Sequence, residues 1–222
     1  CDREPIHIPG SIQPHGVLLA VDRQSRRVTQ AAGRISERLG TPDWEDQPLE
    51  ALLGAALTAA ILSEERILPR NVTPPGATEA FDVQVSQTGG KLLGELEPAA
   101  TPEMMATRLP RLEAGAKRFE QAEDMQTLLN IAACEFRRLT GYDRVMVYRF
   151  LEDEADKVVA DDMAPGHSSF LNHHFPASDI PAQARALYVR NLVRVIPDAL
   201  YTPAPLQPVR PADQPLDMSD CS

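Results

Sequence analysis

Residues 81 to 96 constrain the fold more than any other stretch. Phe81, Val83 and Val85 alternate with polar residues, Thr88-Gly89-Gly90-Lys91 follows, and residues 92–96 return as a second strand-like run. Period-two alternation marks a half-buried strand, and paired glycines supply the positive φ of a two-residue turn. A chain built this way pairs its strands antiparallel. Upstream, residues 17–21 form an unbroken apolar run (Val17, Leu18, Leu19, Ala20, Val21), the signature of a strand buried on both faces. Residues 27–31 are its expected hairpin partner. Residues 32–39 read as a short helix stopped by Gly40, and Leu49, Leu52, Leu53, Ala56 and Leu57 recur at helical spacing. The order strand, strand, small helices, strand, strand predicts a small antiparallel α+β domain ending near Pro98.

Prolines punctuate both ends. Pro5, Pro9 and Pro14 make residues 1–16 an ordered arm rather than a helix, and residues 197–222 carry six prolines with no periodicity. Residues 98–110 are polar and proline-flanked and read as a linker or boundary. Leu128, Ile131, Ala132, Phe136 and Leu139 then form one stripe of a long helix, with Gly141 as its stop. Residues 145–150 are apolar on both faces except for Arg149, which suits a central strand, and residues 157–160 are expected to pair with it. Residues 181–190 read as a further helix. The second half is α+β as well, with a sheet of few strands.

Lys and Arg total 22 against 32 Asp and Glu, a net charge of −10. That balance argues against nucleic acid, whose backbone needs a basic face, and against anionic membrane surfaces. The charge-free apolar run at residues 51–62 is too short to span a bilayer. The three cysteines, Cys1, Cys134 and Cys221, form no CxxC pair, so neither a disulfide framework nor a structural zinc is expected. A soluble protein of a reducing compartment, the cytoplasm, fits best.

Several residues can carry chemistry. Cys1 sits on the extended arm, where an accessible thiol is reactive, although on spacing alone it is an isolated terminal cysteine. His7, His15, His167, His173 and His174 show no metal-ligand spacing, so each is a hydrogen-bonded structural group or a donor to a ligand. Ser178 or Asp179 can cap the helix that Pro181 opens; Asp179, set between Phe175 and Ile180, can equally face a cationic or N–H-rich ligand. Arg194 lies inside an apolar strand pattern, residues 192–196, and needs an anionic partner, internal or bound. Met146 and Tyr148 share one strand face, and Phe175 and Tyr188 belong to nearby elements. Plain core packing explains them, yet with Asp179 and Arg194 they also suit an apolar pocket with a few convergent polar groups. No Ser-His-Asp order, phosphate-cradling glycine loop or HExxH is present, so no enzyme activity is expected of these residues.

Three segments carry a family resemblance. Residues 1–16 (CDREPIHIPGSIQPHG) resemble the N-terminal arm of bacteriophytochromes. Residues 141–150 (GYDRVMVYRF) resemble their GAF core strand, and residues 175–188, with Pro-Ala-Ser-Asp-Ile-Pro, resemble their chromophore-pocket signature. The resemblance implies an α+β fold in which a PAS domain precedes a GAF domain, antiparallel sheets flanked by helices. It also implies that the arm threads a GAF lasso in a figure-of-eight knot, with Ile12 near the crossing. It divides the chain into an arm at 1–16, a PAS domain at 17–100, a linker at 101–112 and the N-terminal part of a GAF domain at 113–222. The family's GAF domain continues beyond residue 222, so an open sheet and half a pocket are expected.

The implied cofactor is biliverdin IXα, joined through a thioether to Cys1. By the same resemblance the backbone carbonyl of Asp179 accepts from the pyrrole N–H groups and Arg194 pairs with a propionate. Ile6, Met146, Tyr148, Phe175, Ile180, Pro181 and Tyr188 lie around the bilin, several of them at ring D. The implied function is red/far-red light sensing through ring D Z/E isomerisation, normally controlling a C-terminal histidine kinase and through it a response regulator. A homodimer is implied as the partner state, with neither nucleic acid nor membrane. Two other readings stay open: an engineered near-infrared fluorescent derivative, and a bilin-free PAS–GAF interaction scaffold. Retention of Asp179, Met146, Tyr148 and Tyr188 favours the natural photoreceptor.

Overall fold

The computed structural model describes residues 5–63, 71–211 and 214–221. They divide into two compact units. Among the described residues, one joins residues 5–99 to residues 183–221; the other spans residues 100–182.

The first unit is built on a four-stranded antiparallel sheet. Its strands are β2 (Val17–Asp22), β3 (Val28–Ala32), β4 (Phe81–Thr88) and β5 (Lys91–Pro98), in the order β3-β2-β5-β4. The β4–β5 hairpin turns at Gly89 and Gly90, both at positive φ, with Thr88 opposite Lys91 as the spacing predicts. The central strand β2 explains its own unbroken apolar run. Val17, Leu19 and Val21 face one core, which α1 (Ile35–Arg38), α2 (Leu49–Leu53) and α3 (Ala55–Leu62) cover. Leu18 and Ala20 face a second, smaller core with Ala32, Leu93, Leu206, Leu216 and Cys221. Alternation sends successive side chains to opposite faces, so a strand covered on both sides is apolar throughout. The helical run from Leu49 breaks at Gly54, whose φ of 78° separates α2 from α3.

The second core is closed by the two ends of the chain. Strand β1 (Ser11–Ile12) pairs antiparallel with β9 (Ala204–Pro205). Leu206 N–H donates to Gly10 O at 2.9 Å and Met218 N–H to His7 O at 2.8 Å. Residues 183–221, assigned by resemblance to the GAF part, therefore cluster with the N-terminal sheet. Leu206, Leu216 and Cys221 bury apolar surface there.

The other unit carries two helices and a three-stranded antiparallel sheet. These are α4 (Pro102–Glu120), α5 (Met125–Thr140), β6 (Arg144–Phe150), β7 (Asp156–Met163) and β8 (His174–Phe175), with sheet order β6-β7-β8. Asp124 caps α5, accepting from Thr127 N–H at 2.8 Å, and Gly141 ends it in the left-handed conformation. One expectation is corrected. Strand β6 is not central: among the described residues it pairs with β7 alone and forms the edge of its sheet. The stretch read as a linker or boundary is helical from Pro102, because Thr101 accepts from Met104 N–H and Pro102 occupies the first turn, where its missing donor costs nothing. The last helix, α6 (Ala182–Arg190), follows a turn in which Asp179 N–H donates to Pro176 O.

The expected strand at residues 192–196 is also absent. Leu192, Val193, Val195 and Ile196 stand exposed in irregular backbone, since no neighbouring strand pairs with them among the described residues.

Candidate functional site

The 100–182 unit gathers the aromatic part of the expected site. Met146 and Tyr148 lie two apart on β6 and so share a face. The Tyr148 hydroxyl donates weakly to the Met146 sulfur at 3.7 Å. The Tyr148 ring meets Phe175, on β8, edge to face, with centroids 5.8 Å apart. Phe175 in turn meets Phe170 at 6.3 Å, and Phe170 meets His173 at 5.2 Å, both edge to face. Such geometry suits the aromatic quadrupole. Tyr148 and Phe170 each keep 38% of their surface exposed, so this is a wall rather than a sealed core.

The wall is held from behind by charge. The Arg144 guanidinium sits 4.2 Å above the Phe170 ring. Its Nη1 lies 3.6 Å from Asp161 Oδ2, and its Nη2 donates to Ser168 O at 2.6 Å. Asp161 Oδ2 also accepts from Phe170 N–H at 2.7 Å and from the Ser169 hydroxyl at 3.1 Å. The Tyr148 phenol is pushed above its ordinary pKa, first by burial and then by the negative charges of Asp156 and Asp161. It therefore stays protonated at neutral pH and remains a hydrogen-bond donor.

Ile180 and Pro181 are half-buried in the turn before α6, and Asp179 is exposed there. The remaining expected residues fall in the other unit, apart from Cys1, which lies outside the described residues. Tyr188 is exposed on α6. Ile6 and Arg194 line one cavity of about 210 Å³ together with Gln13, His15 and Glu97. Arg194 makes no ion pair among the described residues.

Sequence reasoning missed Phe170 and its supports Arg144 and Asp161. Phe170 lies in an irregular loop with no periodicity to mark it. Its position comes from a hydrogen bond to β7, which no linear pattern encodes. Among the described residues no His, Cys, Asp and Glu group could hold a metal ion, and no helix is long and apolar enough to cross a membrane.

Comparison with known proteins gives these residues a context. Residues 1–99 match the PAS fold. Over its full length the chain is 35% identical to the bacteriophytochrome of Xanthomonas campestris pv. campestris, of which it covers 37%. Cyanobacterial phytochrome B of Nostoc sp. is 35% identical over 99% of the chain and 31% of its own length. The chain thus spans about a third of the length of these curated relatives. The chromophore-binding domain of a Stigmatella aurantiaca phytochrome is 34% identical with a TM-score of 0.87, covering 100% of this chain and 77% of that one. That of an unusual bacteriophytochrome from R. palustris is 38% identical with a TM-score of 0.85, covering 100% and 76%.

The fold is that of a PAS–GAF chromophore-binding domain. The chain belongs to the phytochrome family of photoreceptors.

Proposed function

We propose that this chain is the sensory module of a red/far-red photoreceptor that binds biliverdin IXα covalently through Cys1. Its likeness over its whole length to phytochrome chromophore-binding domains carries the reading. The donor set fits the group. A bilin is a flat conjugated chain of pyrroles with two carboxylate side arms. In one unit an open aromatic wall and the Tyr148 phenol suit the conjugated rings, and in the other Arg194, which makes no ion pair among the described residues, suits a carboxylate.

In this reading the Cys1 sulfur adds to a vinyl carbon of ring A and the thiol proton ends on the neighbouring carbon. No leaving group or oxidant is involved. Bound biliverdin supplies the light absorption and the ring D Z/E isomerisation. Met146, Tyr148 and Phe175 shape the surface beside ring D, and the Tyr148 hydroxyl offers a proton donor. The backbone carbonyl of Asp179 accepts from pyrrole N–H groups. Ile6, Ile180, Pro181 and Tyr188 shape the remaining walls, and Arg194 pairs with a propionate, for which a guanidinium fork is suited.

The same proposal covers the arm at 1–16, the PAS domain at 17–100, the linker at 101–112 and a GAF domain from 113. The threading of the arm through a lasso belongs to it too; the β1–β9 pairing and the Leu206–Gly10 hydrogen bond support that threading. Control of a histidine kinase and response regulator, a cytoplasmic setting and a homodimer complete it. Leu109 and Leu112, exposed on α4, support the dimer.

The test is an absorption spectrum of the protein mixed with biliverdin, before and after red light, with Cys1→Ser in parallel. A covalent band that shifts reversibly, and that loses its denaturation-resistant attachment in Cys1→Ser, is the expected result. A band that only fluoresces points instead to a reporter derivative. No band in the longest form of the protein overturns the reading in favour of a bilin-free scaffold.

A further inference from the structure

We propose that Arg144 and Asp161 act as a positioning pair that sets the orientation of Phe170, and through it the aromatic wall beside Tyr148 and Phe175. The inference rests on the reading that this wall faces the chromophore.

The loop between β7 and β8 has no helix or sheet of its own to fix it. Ala164 N–H donates to Asp143 O at 2.7 Å and His173 N–H to Phe170 O at 2.9 Å, and its side-chain anchors between them converge on two residues. Asp161 holds the Phe170 backbone N–H and the Ser169 hydroxyl, and Ser169 Oγ in turn accepts from Leu171 N–H at 3.0 Å. Arg144 holds the Ser168 carbonyl and covers the Phe170 ring. One pair thus grips three successive residues, Ser168, Ser169 and Phe170, at the backbone and at the ring, and reaches Leu171 through Ser169. Asn172 N–H and the His173 carbonyl then rejoin Val158 at 3.0 Å each, which places Phe175 on the sheet.

The burial of the pair argues for a geometric role. The Asp161 side chain is fully buried and that of Arg144 is only 16% exposed. Two apolar residues of the same volume would stabilise such a site as well or better, because burying ions costs solvation. What the pair adds is direction: a planar guanidinium over a ring face and a carboxylate aimed at a backbone donor. The pair is also not saturated. Arg144 Nη1 and Asp161 Oδ1 are buried without a hydrogen-bond partner. Little redundancy remains, so losing either member releases the loop.

Arg144→Gln, Asp161→Asn and Arg144→Lys test this in the full-length protein. Without chromophore, hydrogen exchange of the Phe170 amide is expected to rise about tenfold or more in Arg144→Gln and Asp161→Asn, with β2 amides unchanged. With biliverdin, the red band broadens or its fluorescence yield falls in both, and Arg144→Lys restores part of each signal. A merely structural pair would leave the band untouched wherever the variant folds. Arg144→Lys, which keeps the charge, serves where Arg144→Gln fails to fold. Unchanged Phe170 exchange in all three variants overturns the positioning role. Raised exchange with an unaltered band overturns its link to the chromophore. If the wild-type protein forms no band, the chromophore reading falls, and the exchange measurement still decides whether the pair orients Phe170.

Discussion

In the N-terminal unit β2 is covered on both faces, by α1, α2 and α3 on one side and by the chain's two ends on the other. In the 100–182 unit β6 runs along an edge, and Tyr148 and Phe150 on it stand exposed. Both sheets are antiparallel and similarly apolar in sequence. The difference lies in what covers them. A sheet closed on both faces is a scaffold whose side chains are committed to one another. A sheet that leaves aromatic rings open has surface available for a ligand. The contrast predicts that mutations in the first unit act on stability and those on the open wall act on binding.

The largest effect should come from Phe81→Ala. Phe81 is fully buried in the first core, and emptying such a site costs about 3–5 kcal/mol. Trp44 is the chain's single tryptophan and packs against that core, so its fluorescence reports this unit. Urea titration followed at Trp44 should shift to much lower denaturant in Phe81→Ala. Tyr148→Ala should leave the Trp44 transition in place, since exposed truncations cost about 0.5 kcal/mol or less, while biliverdin binding weakens. The opposite pattern would break the comparison.

Glycines sharpen it at the next level. Gly33 has φ 98°, and an added Cβ would lie 2.5 Å from the Gly16 carbonyl oxygen, which is backbone and cannot turn aside. Gly33→Ala should destabilise the Trp44-reported transition by about 1–3 kcal/mol. Gly141 also has positive φ but nothing within 4 Å of such an atom, so Gly141→Ala should cost about 1 kcal/mol or less, from backbone strain alone.

Much of the closed unit was legible because local pattern and tertiary environment agree there. The five-residue apolar run became β2, the Gly-Gly pair became the hairpin turn, and Gly40 ended α1. Where a pattern needs a partner to become structure, reading failed. Residues 192–196 carry an apolar strand pattern and remain irregular. Residues 145–150 looked central and sit at an edge. The proline-flanked stretch at 98–110, read as a linker or boundary, carries a helix that Thr101 and Pro102 start and that tolerates Pro110. At the candidate site, Met146 and Tyr148 could be read from their spacing of two. Phe170 could not, because its place depends on the Asp161 carboxylate nine residues away. The role proposed for Cys1 came from family resemblance, since a lone thiol carries no pattern.

A smaller effect concerns the second face of the closed sheet. Burial pushes the Cys221 thiol up to about 12, with the negative charge of Glu95 adding to it. A thiol with a raised folded pKa holds its proton more tightly when folded. Its contribution is therefore fully present below the unfolded value near 8.5–9 and is lost as pH rises towards 12. Wild-type stability should fall more steeply than that of Cys221→Ala between those limits. Iodoacetamide at pH 8, followed by peptide mapping, should label the half-buried Cys134 before the buried Cys221. Equal labelling would mean that the chain's end does not seal this face.

The smallest effect belongs to the start of α5 in the open unit. Asp124 accepts from the backbone N–H of Thr127 and from its hydroxyl, and these bonds hold the carboxyl below its ordinary pKa. A lowered folded pKa stabilises above the ordinary value near 3.9 and is lost as pH falls through the folded pKa. Asp124→Ala should therefore speed exchange of the Thr127 and Leu128 amides at pH 7. That difference should shrink as pH falls through the lowered folded pKa, where the wild-type carboxyl is also protonated and a poorer acceptor. The site is exposed, so the Trp44 transition of the other unit should not move. A difference that survives below that folded pKa would assign the effect to helix propensity at position 124 rather than to the cap. It would remove charge from the account of how α5 begins.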